Sequence, residues 1–332
     1  MMRYFNIAGP CNKEKHYMIE AASRLRGVER LIDMEQYFVI HAARQSGKTT
    51  YLKDLERRLN ASGKYYTLYC SLEMAQGVDD PEKAMPGIIK KIKQTLSLSD
   101  IPNKGQFAAD ADYTDYMNVL NTELVLFCKL LDKPLIILFD EADCLSEGTL
   151  ISFLRQLRDG YNSRSSYPFV HSIALVGMRN IRDFKARVRP DSETLGSASP
   201  FNIVTESLTL KNFTTDEIRA LYKQHTDETG QIFEEGAIEL VYEQTQGQPW
   251  LVNAIAREVI EKQLGGDYTR PVTSEMAEKA IQTIILRRDT HIDSLLERLK
   301  EERVRKVIEP IILGESYIDQ LSDDYLYVRD LG

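Results

Sequence analysis

The sequence lacks an apolar segment long enough to cross a membrane. A spanning helix needs about 18 or more mostly apolar residues in a row, and no run in the 332-residue chain approaches that length, although 43% of its residues are hydrophobic. The first residues, MMRYFNIAGPCNKEKHY, also lack the apolar centre of a secretory signal peptide. We therefore expect no membrane partner and a cytoplasmic location.

Cysteine and histidine are scarce and scattered. The chain has four cysteines, none of them in a CxxC pair, and five histidines that do not cluster. Zinc sites and disulfide frameworks depend on such close pairs. We therefore predict reduced, buried thiols and no site built from Cys or His ligands.

Positive charge is also in deficit. Fifty acidic residues outnumber 42 lysines and arginines, giving a net charge of −8 and a pI near 5.4. Affinity for nucleic-acid phosphates depends on Lys and Arg, so the composition argues against a chain covered with nucleic-acid-binding surface. A local basic patch is compatible with these numbers, and a nucleic-acid partner is left open.

The first 210 residues alternate short apolar segments with longer segments of helical periodicity. Strands that alternate with helices predict an α/β fold with a parallel sheet flanked by helices on both faces. The predicted strands are residues 37–42, 65–72, 134–140, 169–177 and 201–210.

Beyond residue 210 the pattern becomes almost entirely helical. Thr214 or Thr215 can cap a first helix with Glu217 near its start, and further helices are predicted at about 234–245, 249–263 and 273–288. The last segment predicts a helix followed by a strand in DDYLYVRDLG, similar to a winged-helix unit that is either minimal or incomplete after Gly332. The predicted domains are residues 1–210, 211–288 and 289–332.

Residues 42–49, AARQSGKT, stand between a predicted strand and a predicted helix. They match the phosphate-loop pattern G-x-x-x-x-G-K-[ST] except at Ala42, which replaces the first glycine. In this pattern backbone N–H groups and the positive helix end bind phosphate, the lysine neutralises β/γ oxygens, and the threonine hydroxyl ligates Mg²⁺. The candidate nucleotide-binding residues are Ala43, Arg44, Gln45, Ser46, Gly47, Lys48, Thr49 and Thr50.

The departure at Ala42 and the shortness of the motif leave an alternative open. If the position requires positive φ, alanine costs about 1 kcal/mol or somewhat more, which several charge-assisted bonds to phosphate can offset. The alternative interpretation is that SGKTT is an ordinary helix cap. The strand before it and the helix after it favour the phosphate loop.

A second motif, LIILFDEAD at residues 135–143, is an apolar strand that ends in two carboxylates. At the carboxyl end of a strand, Asp140 would hold the Mg²⁺ shell and Glu141 would orient an attacking water. The alternative is a core strand that runs out into solvated acids. The combination with the phosphate loop favours the catalytic interpretation, with ATP and Mg²⁺ as the cofactors.

The pairing of ARQSGKTT with LIILFDEAD, followed by a helical lid, resembles the AAA+ and STAND-type P-loop ATPases of prokaryotes, and most closely the bacterial AAA-like ATP-binding proteins. The resemblance implies an ASCE-type P-loop NTPase sheet of order 5-1-4-3-2. It also implies that Glu141, next to the Walker B aspartate, is catalytic.

Further site residues follow from this resemblance. It implies a polar sensor of the γ-phosphate at Arg179 or Asn180, a lid motif over the adenine at Gln248 and Pro249, and a base-pocket wall at Tyr17. The first two have simpler alternatives, respectively a turn with a solvated arginine and a helix start.

The chain shows no clear arginine finger, although the segment 179–189 supplies Arg182, Arg187 and Arg189. Three functions remain open at this stage. The first is an ATP hydrolase that drives a conformational cycle, the second is a slow or non-hydrolysing ATP-gated switch, and the third is a DNA-associated ATPase. An unidentified protein partner or self-association is also expected.

Overall fold

A computed structural model gives the structure of the chain, which divides into two units. The first unit comprises Gly27–Ala42 and Tyr51–Thr209, and the second comprises Met1–Arg26, Ala43–Thr50 and Leu210–Gly332. The predicted three-domain division stays a prediction. The described residues are 2–20, 23–178, 203–287, 298–313 and 322–331.

The first unit is built on a five-stranded sheet of order β5-β1-β4-β3-β2, in which every neighbouring pair is parallel. This is the predicted order, and the α/β fold class is confirmed. Because all strands run the same way, their carboxyl ends lie at one edge of the sheet. The strands are β1 (Tyr37–His41), β2 (Tyr66–Ser71), β3 (Leu135–Asp140), β4 (Ser172–Gly177) and β5 (Val204–Thr209).

The central strands are buried along their whole length, which explains their continuous apolar sequences. Residues of β3 pack into a core with helical side chains, and the Phe139 and Phe153 rings meet edge to face at 5.1 Å between centroids. The helices of this part of the chain are α1 (Val28–Asp33), α2 (Lys48–Ala61), α3 (Pro81–Ser97), α4 (Val119–Cys128) and α5 (Glu147–Asn162).

The second unit is mainly helical, and its first helix begins with the predicted cap. The Thr214 side chain accepts from the backbone N–H of Glu217, and the Glu217 side chain accepts from the N–H of Thr214, which forms a capping box. The helices are α6 (Thr215–Thr229), α7 (Glu235–Thr245), α8 (Pro249–Arg257), which continues as a π-helix over Glu258–Gln263, and α9 (Ser274–Arg287).

The strand predicted in DDYLYVRDLG is wrong. Asp323–Leu331 form a helix, α11, which follows α10 (Glu302–Ile312). The Ser322 hydroxyl accepts from the backbone N–H of Tyr325, so a cap overrides the strand preference of the aromatic residues. Buried Tyr327 donates to Glu301 at 3.0 Å. Residues 298–313 and 322–331 contain no strand, so the winged-helix character is not confirmed.

The described residues bear on two features that the sequence lacks, a membrane-spanning helix and closely paired cysteines. Within the described ranges, no helix combines the length and the apolar character that a membrane crossing requires. All four cysteines are free, with Cys70 and Cys128 buried and Cys11 and Cys144 half-buried. The predicted burial is therefore confirmed for Cys70 and Cys128 but not for Cys11 and Cys144.

Candidate functional site

The carboxyl edge of the sheet carries both sequence motifs. β4 pairs with β1 on one side and with β3 on the other, so His41 and Asp140 end their strands at the same edge. The backbone N–H of Ala42 donates to the Gly177 carbonyl at 3.2 Å, which extends the β1–β4 ladder by one residue. The chain then enters the candidate phosphate loop.

Ala42 does not need the freedom of a glycine. The φ of Ala42 is not positive. The residues of this loop with positive φ are Gln45 (φ 59°) and Gly47 (φ 91°). The conditional cost assigned to alanine therefore does not arise. Positive φ on both sides of Ser46 turns successive N–H groups into a concave surface suited to an anion.

Two buried polar atoms lie in this loop without a hydrogen-bond partner among the described residues. They are the Ser46 hydroxyl and the Gln45 side-chain oxygen, and Ser46 is only 1% exposed. Buried polar groups are usually paired, so these atoms mark a place where a polar ligand or water fits. The non-glycine positive φ of Gln45 is strain of the kind found at ligand sites.

The loop carbonyls are turned towards side-chain donors. Arg24 Nη2 donates to the Ser46 carbonyl at 2.8 Å, and Gln248 Nε2 donates to the Arg44 carbonyl at 3.2 Å. Lys48 Nζ donates to the Ala43 carbonyl at 2.9 Å. These three carbonyl oxygens are therefore satisfied by donors within the chain.

Arg24 is a site residue that sequence reasoning missed. It is 7% exposed, its Nε donates to the Lys211 carbonyl at 2.7 Å, and its guanidinium lies 4.8 Å from the centre of the Phe213 ring. Burial lowers the pKa of this guanidinium to about 10, while Glu217 acts in the opposite direction. Neither spacing nor motif distinguishes Arg24 from other arginines in the sequence.

Gln248 and Pro249 begin helix α8, as the simpler interpretation of the lid motif predicts. The Gln248 side chain accepts from the Leu251 N–H at 2.7 Å, and Pro249 occupies the first helical turn. Trp250, 8% exposed, donates its indole N–H to the Ile7 carbonyl at 2.8 Å. Contact of Gln248 or Pro249 with a nucleotide stays a prediction.

Tyr17 lies in the core of the second unit. It is 1% exposed, its ring packs on Phe5 at 4.8 Å between centroids, and its hydroxyl donates to Glu228 at 3.1 Å. Burial raises the Tyr17 pKa well above its usual value, and the neighbouring Glu228 raises it further. These contacts are those of a core side chain, and its role at a nucleotide base stays a prediction.

The Asp140 carboxylate is buried and oriented by two donors. The Tyr69 hydroxyl, from β2, donates to Oδ2 at 3.0 Å, and the backbone N–H of Glu141 donates to Oδ1 at 3.0 Å. Glu141 itself has φ 56° and ψ 36°, a strained conformation for a non-glycine residue. Tyr69 is a second residue that sequence reasoning missed, since only the strand pairing brings it to Asp140.

Asp143 fixes the end of β4. Its Oδ2 accepts from the Met178 N–H at 3.0 Å, and a Cβ on Gly177 would lie 2.3 Å from its Oδ1. The absence of a side chain at residue 177 thus allows the carboxylate to reach this strand end. The predicted sensors Arg179 and Asn180, and the candidate fingers Arg182, Arg187 and Arg189, lie outside the described residues.

The chemistry of the donor set fits a magnesium nucleotide better than a metal bound by protein alone. In the described part of the chain, no group of three or more His, Cys, Asp or Glu side chains could hold a metal ion. Mg²⁺ commonly takes only one or two carboxylates and completes its shell with substrate phosphates and water. Asp140 is a buried carboxylate of the kind that such a shell uses, and binding of Mg²⁺ by Thr49 and Asp140 stays a prediction.

Comparison with known proteins agrees with this description. The chain is similar to the Walker-type ATPase PABY2304 of Pyrococcus abyssi, with 17% identity and a TM-score of 0.65 over 98% of this chain and 93% of that chain. Weaker likenesses are to Orc1 of Aeropyrum pernix in complex with DNA (15% identity, TM-score 0.47, 91% and 75% covered) and to the RuvB Holliday junction branch migration motor of Thermotoga maritima (14%, 0.44, 92% and 84%). At 17% identity the first likeness shows a shared fold and no more. The other two likenesses are too weak to support a conclusion about fold or function.

A search of curated proteins gives no match to the sequence. A family model described as an AAA-like domain, however, matches residues 9–312. That range is most of the 332-residue chain. The protein therefore belongs to the AAA-like domain family and has the fold of a P-loop ATPase.

Proposed function

We propose that the protein binds Mg–ATP at residues 43–50 and hydrolyses it. The observation that carries the proposal is the shared sheet edge, where β1 leads into a loop with positive φ at Gln45 and Gly47 and β3 ends at Asp140, directly before Glu141. Open parallel sheets bind ligands at this edge. The family assignment supports the same conclusion.

The phosphates would be held by the loop backbone and by the start of α2. The N–H groups around Gln45, Ser46 and Gly47 would line the concave side of the loop. Helix α2 begins at Lys48, so its positive end is directed towards the loop. Lys48 would exchange its contact with the Ala43 carbonyl for β- and γ-phosphate oxygens. Its ammonium would then neutralise charge that develops during phosphoryl transfer.

Magnesium would be held by Thr49 and Asp140 together with the phosphates. When bound, it supplies neutralising charge and fixes the geometry of the phosphate oxygens. The chain's own contribution is orientation, because Tyr69 and the Glu141 N–H hold the Asp140 carboxylate in one position. A carboxylate held this way needs little rearrangement when it takes part in a metal shell.

Glu141 is the proposed base that orients water for attack. Its carboxylate follows the metal-binding Asp140 directly, and its strained backbone conformation is of the kind that persists at catalytic sites. We extend the proposal to Arg179 or Asn180 as γ-phosphate sensor and to Gln248, Pro249 and Tyr17 around the base. A cytoplasmic location also remains part of the proposal.

The Glu141→Gln variant tests hydrolysis separately from binding. Removing a positioned base typically slows a reaction by about 10²–10⁴-fold, so steady-state phosphate release should fall by at least about 100-fold while Mg–ATP affinity stays within about twofold. Glu147→Gln, in the first turn of α5, is the matched control and should leave both quantities unchanged.

Two results would replace hydrolysis by one of the other functions. Tight Mg–ATP binding with no measurable phosphate release from the unaltered protein would assign an ATP-gated switch that engages a protein partner or a second copy. ATPase activity stimulated by a DNA fragment at low salt, and lost as salt rises, would assign a DNA-associated ATPase.

A further inference from the structure

Two side chains from outside the phosphate-loop motif donate hydrogen bonds to main-chain carbonyls of the loop. Arg24 donates to the Ser46 carbonyl and Gln248 donates to the Arg44 carbonyl. The two carbonyls belong to Arg44 and Ser46, and each of these residues directly precedes a residue with positive φ, Gln45 or Gly47. Each restrained carbonyl therefore fixes the peptide plane whose N–H belongs to the next residue, 45 or 47.

Arg24 also contacts the segment that leads into the helices of its unit. Its Nε donates to the Lys211 carbonyl at 2.7 Å, and its guanidinium covers the Phe213 ring. Phe213 in turn donates its N–H to the Gly247 carbonyl at 2.8 Å, next to Gln248. A series of contacts thus leaves the phosphate loop at Ser46 and returns to it at Arg44. It passes through Arg24, Phe213, Gly247 and Gln248.

We propose that Arg24 is a positioning residue that keeps the phosphate loop in its anion-binding conformation and links nucleotide occupancy to the turn at Gly247–Gln248. The inference rests on the proposed ATP binding and adds a residue that lies outside every motif. Arg24 donates to two main-chain carbonyls and stacks on a ring, so it acts through the loop rather than on the phosphates.

The chemistry requires arginine at this position. A planar guanidinium presents several donors in a fixed fork and stacks on an aromatic face, whereas a lysine ammonium is a single point donor. A lysine at residue 24 would keep the positive charge but could not bridge the Ser46 and Lys211 carbonyls in the same way. The burial of Arg24, at 7% exposure, excludes most of the water that could replace a lost donor.

The experiment compares Arg24→Lys and Arg24→Gln with Arg26→Lys and Arg26→Gln. Arg26 is two residues away and exposed, which makes it a matched control. Three quantities are measured in the full chain: the dissociation constant of Mg–ATP by calorimetry, the fluorescence change of Trp250 at saturating Mg–ATP, and the thermal midpoint without nucleotide. Trp250 is the only tryptophan and follows the Gly247–Gln248 turn.

We expect Arg24→Lys to weaken Mg–ATP binding by about 10-fold or more, the loss typical of one well-placed interaction worth about 1.4 kcal/mol. We also expect it to lose most of the Trp250 response at saturation. The thermal midpoint should fall below that of the Arg26 controls, because the buried Ser46 or Lys211 carbonyl loses its donor. Arg24→Gln should show larger losses in the same directions.

Other outcomes overturn the inference. Affinity within twofold of the unaltered protein removes the role in positioning, and a full Trp250 response at saturation removes the link to the turn. A lower midpoint together with a full response would assign Arg24 a purely structural role. If the unaltered protein itself fails to bind Mg–ATP, the proposed function fails, and that result differs from a failure confined to the Arg24 variants.

Discussion

At the residue scale, the most informative side chain is Asp140, because both of its oxygens accept from groups fixed by the sheet. Tyr69 reaches it from β2, where Ser71 pairs with Asp140 in register. The hydroxyl limits the rotation of the carboxylate. Tyr69 thus orients Asp140, the candidate metal ligand, without being a proposed metal ligand itself.

Replacing Tyr69 by phenylalanine should weaken the dependence on magnesium specifically. Loss of a partner that orients a metal ligand typically costs about 10–100-fold in metal affinity. We therefore expect Tyr69→Phe to raise the Mg²⁺ concentration for half-maximal ATP binding by about 10-fold, measured by magnesium titration at a fixed, sub-saturating ATP concentration.

Tyr66→Phe provides the control for this prediction. It removes a hydroxyl from the same strand, and that hydroxyl donates to Asp132 at 2.8 Å instead. The control should leave the magnesium midpoint unchanged. An equal shift in both variants, or none in Tyr69→Phe, would show that the bond to Asp140 does not orient a metal ligand.

At the element scale, the turn between α7 and α8 depends on a glycine. Gly247 has φ 71°, and a Cβ at this residue would lie 1.8 Å from the Phe213 carbonyl oxygen. The turn therefore requires both the left-handed conformation and the close approach of a second main chain. It also sets the start of α8, and hence the position of Gln248.

Gly247→Ala should destabilise the protein by more than about 3 kcal/mol, because the backbone clash adds to the cost of a left-handed alanine. Gly266→Ala isolates the second cost, since Gly266 has φ 81° but open space where its Cβ would stand. That control should lose only about 1–2 kcal/mol. Chemical denaturation of both variants makes the comparison, and equal losses would mean that the close approach at Phe213 does not matter.

At the scale of the whole molecule, the sequence was most informative where strands and motifs coincide. The continuous apolar stretches at β1, β3 and β4 predicted a parallel sheet, and β1 and β3, which carry or precede the two motifs, end at one edge of it. Gln248 was singled out by its motif, but its hydrogen bond to the Arg44 carbonyl was not predictable, because it joins residues 204 positions apart.

The remaining features depend on tertiary contacts that local patterns do not encode. Arg24 belongs to a stretch of mixed charge, and only its burial against Phe213 and Ser46 distinguishes it. Tyr69 looks like any strand tyrosine until β2 pairs with β3. At the C-terminal end, the aromatic residues favoured a strand, but the Ser322 cap and the burial of Tyr327 stabilise a helix.

In the proposed site, the phosphate loop binds the phosphates of ATP, and Asp140 holds the magnesium ion that these phosphates also bind. Calorimetric titration with ATP, with and without Mg²⁺, tests this arrangement most directly in the unaltered protein and in the Lys48→Ala and Asp140→Asn variants. We expect magnesium-dependent affinity in the unaltered protein, its loss in Lys48→Ala, and the loss of only the magnesium-dependent part in Asp140→Asn. Equal ATP affinity in all three folded proteins, with or without magnesium, would contradict the proposed site.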